Sequence, residues 1–132
     1  GVDDLMSAEA LICCVPTWNT GADEARSGTA WDDLVQEIPD QDFADKPVAI
    51  LGLGDSSGYS DFFCDAMEEL HSAFVSAGAK VIGKTATDGY TYDDSKSVID
   101  GKFCGLPLDE DNESELTDQR LNAWVTQIQS EA

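Results

Sequence analysis

Ala10-Leu11-Ile12-Cys13-Cys14-Val15 (ALICCV) runs straight into Pro16-Thr17-Trp18-Asn19-Thr20-Gly21 (PTWNTG), and the reading of this junction decides the fold. An apolar run of this length is too short for a helix, and a proline cannot continue a strand ladder. The absence of alternation predicts a strand covered on both faces, as in a parallel sheet. Cys13 and Cys14 then read as small buried hydrophobes. The next residues place a tryptophan in a loop, among Thr, Asn and Gly.

Working outward, Pro47–Leu53 (PVAILGL) repeats the apolar pattern and ends in Gly52-Leu53-Gly54. Lys80–Lys84 (KVIGK) and Phe103–Leu108 (FCGLPL) are weaker versions. Helical spacing falls between these runs. Trp31, Leu34, Val35 and Ile38 define one apolar face. Phe63, Met67, Leu70 and Phe74 mark a longer helix, with Ser60 or Asp61 as its expected cap and Gly78 as its stop. Leu121, Trp124, Val125 and Ile128 mark a third, with Thr117 as N-cap and Leu116 and Leu121 as a hydrophobic staple. Strands alternating with helices predict an α/β domain with a parallel sheet. The polar segment 86–102 (ATDGYTYDDSKSVIDGK) matches neither element and separates two half-strands. A connection this long inside a compact domain is functional or an elaborated insert.

The length fits a single domain over residues 1–132. Twenty-seven acids against seven bases give a net charge of −20. Nucleic acid and anionic membranes are thereby disfavoured as partners, because both would repel this surface. A basic protein partner fits, and so does plain solubility in a salty environment. No stretch of about 20 apolar residues is present to span a membrane. No signal-like start is seen, and the chain opens on Gly, as a trimmed one would. Cys13, Cys14, Cys64 and Cys104 form no C-x-x-C pair, which argues against a disulfide framework or zinc site and for a reducing compartment.

In open parallel sheets, ligands bind beyond the carboxyl ends of the strands. Two loops follow strands here: 16–21 with Trp18, and 54–60 (GDSSGYS) with Tyr59. Two aromatics on neighbouring loops can flank a flat ring, each contact contributing about 0.5–1.5 kcal/mol beyond area burial. The competing reading folds Trp18 back as a lid over the core. Gly54-Asp55-Ser56-Ser57-Gly58 also fits the G-x-S-x-G nucleophile elbow of hydrolases. A triad needs a histidine, however, and His71 lies on the helix that follows the same loop, about four turns away. It reads as a helix-surface residue. Gly52, Gly54 and Gly58 miss the dinucleotide fingerprint by one residue. The pairs Glu68-Glu69 and Asp93-Asp94 read as solvated surface.

Taken together, VPTWNTG, then AILGLGDSSGYSDFFCDAMEELHSAF, then DGYTYDDSKSVIDGKFCGLPLDEDN, then LTDQRLNAWV resemble a flavodoxin of the long-chain type, closest to algal and cyanobacterial forms. The resemblance covers nearly the whole chain and implies a doubly wound flavodoxin-like α/β fold with strand order 2-1-3-4-5. This sequence begins near the family's third strand, so about strands 3-4-5 are expected, with 86–102 as the insert splitting the last strand. The family's first strand, phosphate loop, first helix and second strand have no counterpart. ALICCV would then form an exposed apolar edge.

The resemblance also implies bound FMN and a low-potential one-electron carrier that substitutes for ferredoxin, not a catalyst of substrate chemistry. Trp18 would stack on one face of the flavin and Tyr59 on the other. Thr17, Asn19, Thr20 and Gly21 would line its edge, and Gly54 and Asp55 would supply backbone contacts. The Asn19-Thr20 peptide would reorient when the ring takes a proton at N5. Many relatives carry Asn where Phe62 stands here. The implied partners are ferredoxin/flavodoxin-NADP reductase or photosystem I type redox proteins with basic docking patches, meeting a monomer in the cytoplasm or chloroplast stroma. The acidic composition agrees: a unit charge ~10 Å from the ring costs roughly 0.4 kcal/mol at water's dielectric and ~1.7 at an effective value of 20, and ~1.4 kcal/mol is about 59 mV for one electron. Two other readings stay open at this point: a cofactor-less acidic fragment, and a serine hydrolase using Ser56.

Overall fold

The computed structural model describes residues 1–132. A four-stranded parallel sheet forms its centre: β1 (Leu11–Pro16), β2 (Pro47–Leu53), β3 (Lys80–Ile82) and β7 (Leu106–Leu108). β1 runs along one edge of β2 over its whole length, Leu11 opposite Val48 to Pro16 opposite Leu53. The other edge is shared. β3 pairs with Pro47–Ala49, and β7 with Leu51–Leu53. Between these two half-strands the chain leaves the sheet and builds a second, antiparallel one. That sheet has the order β4-β6-β5, from β4 (Thr85–Ala86), β5 (Val98–Ile99) and β6 (Lys102–Phe103).

Helices cover both faces of the parallel sheet, which is the doubly wound arrangement. α1 (Val2–Ser7), α2 (Trp31–Glu37), α3 (Ala66–Ser76) and α4 (Thr117–Glu131) complete the fold. Successive residues of β2 point to opposite faces. Val48 and Ile50 join Cys13, Val15, Met67, Leu70 and Phe74 under α3, while Ala49 and Leu51 join Ile82, Leu106, Leu108, Trp124 and Ile128 under α4. α3 ends in a Schellman motif. The Ala79 N–H bonds the Phe74 carbonyl and the Gly78 N–H bonds that of Val75, with Gly78 at φ +87°.

Several expectations are corrected. ALICCV is covered on one face only: Ile12 is 59% exposed and Cys14 is exposed, because β1 is the edge strand and the buried residues of α4, Trp124 and Ile128, pack on β2, β3 and β7. Phe103–Leu108 is not one strand. It divides between the two sheets at Cys104-Gly105. The 86–102 segment contains Val98–Ile99 as a strand where none is expected, its partner supplied by Lys102–Phe103 across a tight turn. α3 begins at Ala66, not after Ser60 or Asp61. A 3-10 turn at Ser60–Phe62 and the positive φ of Cys64 (52°) break the chain first, and the Ala66 N–H is capped from outside by the Thr17 hydroxyl at 3.1 Å. Thr117 is not a cap either. It is the first residue of α4, Leu116 holds the cap position, and the Thr117 hydroxyl is buried without a partner.

Candidate functional site

Both aromatic loops sit beyond the carboxyl ends of β1 and β2, and they line one cleft of about 500 Å3. The sequence dictates this placement. Parallel pairing in register brings Pro16 beside Leu53, so the residues that follow each strand emerge side by side. The Thr17 N–H bonds the Leu53 carbonyl at 3.1 Å, continuing the ladder one step. Beyond that point the loops separate and expose their rings, Trp18 by 75% and Tyr59 by 54%. Trp18 is therefore no lid over the core.

The first loop is held from the side away from the cleft. The Trp18 and Asn19 N–H groups bond the Ser27 and Arg26 carbonyls at 3.1 and 3.0 Å. Arg26, almost fully buried, ties that segment to α3. Its guanidinium bonds the Glu68 carboxylate at 2.9 Å and the Asp65 carbonyl at 3.2 Å, and its backbone N–H meets Glu69 at 2.7 Å. Thr17 supplies the outside cap of α3 described above. One loop thus stands on two supports, and both belong to the helix that follows the other loop.

The second loop is an Asx-type turn. The Asp55 carboxylate accepts the Ser57 and Gly58 N–H groups at 3.1 and 2.8 Å and the Asn112 side chain at 2.7 Å. The Gly58 N–H, then the Asn112 amide, hold the Asp55 carboxyl below the usual carboxylate range. Behind it, Asp109 is fully buried and accepts from the Ser56 N–H, the Ser56 hydroxyl, the Asn112 N–H and the Asn112 side chain. The inserted segment braces the loop's far end. The Asp93 and Asp94 N–H groups bond the Ser60 carbonyl at 2.9 Å, and Tyr90, Tyr92 and Phe103 pack on Phe63.

Of the residues singled out from sequence, Thr17, Trp18, Thr20, Gly54, Asp55 and Tyr59 line the cleft. Asn19 and Gly21 do not. The Asn19 amide turns back to the Ala25 carbonyl at 3.0 Å, which occupies it elsewhere. Gly21 lies beside the Phe62 ring, 3.7 Å from the position a Cβ would take. The Gly54 N–H is spent on the Leu108 carbonyl at 3.1 Å, so it is not free for a ligand, whereas the N–H groups of Thr20 and Asp55 have no partner within the chain. Sequence reading missed Pro16, Leu53, Glu110 and Asp111 as lining residues and knew Phe62 only as a departure. Glu110 and Asp111 follow β7 as the aromatic loops follow β1 and β2, so the same strand-end rule would have found them.

Ser56 is no nucleophile. It is buried, and its hydroxyl is donated to Asp109. His71 sits half-buried on α3, where burial lowers its pKa. The hydrolase reading ends there.

What the cleft can do is hold a flat, conjugated ring between two exposed aromatics, with free backbone donors at its edge and carboxylates at one end. The Asp55, Asp109 and Asp111 oxygens lie within 4.8 Å of one another at that end. No lysine or arginine is among the lining residues. The observed set fits an uncharged ring system rather than a phosphate.

Comparison with known proteins agrees with this geometry. The family model for flavodoxin matches residues 2–124. A flavodoxin of Nostoc sp. is 47% identical over 130 residues, which is 98% of this chain and 74% of that protein. One from Haemophilus influenzae is 38% identical, covering 98% of this chain and 72% of that one. The crystal structure of Fusobacterium nucleatum flavodoxin bound to flavin mononucleotide superposes with a TM-score of 0.90 at 37% identity, over 99% of this chain and 76% of that one. With the parallel sheet, the strand-end cleft and this similarity in place, the chain belongs to the flavodoxin family.

Proposed function

We propose that the chain is an FMN-dependent one-electron carrier of low potential whose cleft takes the flavin ring between Trp18 and Tyr59. The observation that carries the reading is the pair of exposed aromatics on adjacent strand-end loops, lining one cleft. When bound, the flavin supplies the redox chemistry, accepting and passing on single electrons; the protein performs no substrate chemistry of its own. The chain's own residues do the rest. Trp18 and Tyr59 hold the ring and keep water from its faces. The free N–H groups of Thr20 and Asp55 offer donors to its polar edge. Glu110, Asp111 and the Asp55 carboxylate oppose added negative charge, which sets a low potential. Asn19 acts through the loop's shape, its side-chain amide tied back to the Ala25 carbonyl, and Gly21 leaves room for the Phe62 ring.

The partners are redox proteins. Ferredoxin/flavodoxin-NADP reductase or photosystem I type proteins with basic patches suit a chain of net charge −20, met by a monomer in the cytoplasm or chloroplast stroma. No helix is long and apolar enough to cross a membrane.

Titration with FMN and, in parallel, with riboflavin tests the reading, followed by flavin fluorescence. Quenching by both at similar affinity is expected, since the ring carries the contacts named here. No quenching by either overturns the ring site.

A further inference from the structure

Asp109 is a fully buried carboxylate that neither pairs with a cation nor lines the cleft, yet every hydrogen bond its carboxylate accepts comes from Ser56 or Asn112, on the loops beside the cleft. It follows the last residue of β7, Leu108, whose carbonyl already holds the Gly54 N–H. Its carboxylate then takes the Ser56 N–H at 3.2 Å, the Ser56 hydroxyl, the Asn112 N–H at 3.0 Å and the Asn112 side-chain amide at 3.1 Å. Asn112 passes the connection on to Asp55 at 2.7 Å. The Tyr59 N–H closes the turn on the Asp55 carbonyl at 3.1 Å. One buried side chain thus sets the start of the turn that carries Tyr59, from a residue some fifty positions away in sequence.

The geometry points to Asp109 as the positioning residue of the Tyr59 loop: it fixes one wall of the ring cleft to the end of β7, and it does so as a carboxylate in particular. All of its partners are donors. An ionised carboxylate is acceptor-only, whereas an amide of the same shape brings two donors of its own. In Asp109→Asn one oxygen stays in place, and the amide nitrogen must then face either the Ser56 N–H or the Asn112 N–H. Two donors would meet in a buried site. The turn gives way before the sheet does, because the turn is the less deeply packed of the two. The inference rests on the ring-site reading above for its consequence, though not for its structural content.

Amide hydrogen exchange on the full chain tests the structural part without any ligand. Asp109→Asn should speed exchange at Ser57, Gly58 and Tyr59 by roughly tenfold or more, the scale of a lost charge-assisted bond. The amides of Leu70 to Phe74 in α3 should stay at the unsubstituted rate. Ser56→Ala, which removes only the hydroxyl, should speed the same three amides by roughly fivefold. It carries the test if Asp109→Asn does not fold. Unchanged exchange in the turn overturns the proposal, and so does equal acceleration in the turn and in α3, which would mark a general loss of stability.

Riboflavin binding supplies the second readout. If Asp109 acts by placing Tyr59, the losses in affinity from Tyr59→Ala and Asp109→Asn should overlap, the double variant binding no worse than Tyr59→Ala. Losses that multiply would overturn the positioning role. A chain that binds no riboflavin at all would sink the ring site instead, and the exchange result would still decide the role of Asp109.

Discussion

Trp18→Ala removes a side chain that is 75% exposed, so it should leave the melting temperature within a degree or two of the parent. Flavin affinity should fall by roughly tenfold, the scale of one lost stacking face. A parallel loss of stability, measured in the same thermal scan, would mean that Trp18 serves the core after all. Gly54→Ala is the opposite case. An added Cβ would lie 2.8 Å from the Cys64 sulfur and 2.9 Å from the Cys64 backbone nitrogen, and the latter cannot move aside without shifting the turn before α3. Urea unfolding should show a loss of about 1–3 kcal/mol. The difference between these residues was legible in part. Strand-end position and residue type marked Trp18 and Tyr59 as exposed residues of a strand-end cleft, which they line. Nothing local marked Asp109, whose partners Ser56 and Asn112 are brought together only when β7 pairs with β2.

At the level of elements, α3 is where the two loops communicate, because its first turn is capped by Thr17 and its outer face holds Arg26. Arg26→Ala should cost about 2–3 kcal/mol in chemical denaturation, toward the low side for a buried cation since Glu68 and Glu69 keep some contact with water. The same helix carries a pH effect. Burial, then the neighbouring Lys84 charge, lowers the His71 pKa from its ordinary 6.5. The native state therefore takes up its proton less readily than the unfolded chain. The contribution is present above the ordinary value and is lost as the pH falls through the lowered one. His71→Gln should accordingly flatten part of the decline in melting temperature as the pH falls below the ordinary histidine value.

The apolar runs and the helix periodicity announced these elements. Their ends were harder to read. The true start of α3 depends on a hydroxyl from another loop, and the cap expected at Thr117 lost to a 3-10 turn over Ser114–Leu116 that carries the chain straight into α4. The three short strands of the antiparallel sheet were invisible because each is two residues long and exists only through its neighbours.

Across the whole molecule, a net charge of −20 on 132 residues means that most charged groups repel most others. Added salt should raise the melting temperature, because screening relieves that repulsion more than it weakens the largely buried Arg26 pairs. A calorimetric series from low to about half-molar sodium chloride would show it, and a fall across the series would mean that local ion pairs outweigh the general repulsion.

The shared edge of β2 has a different kind of consequence. Because β3 and β7 reach it independently, the covalent path between them is not what holds them there. A single proteolytic cut at the exposed Asp88-Gly89 turn would leave residues 1–88 and 89–132 joined by the β2–β7 ladder and by Trp124 and Ile128 packed under the sheet. The protein would then behave as a two-piece complex. Its melting temperature would acquire a dependence on concentration that the intact chain lacks, and native chromatography would carry both pieces in one peak that denaturant separates.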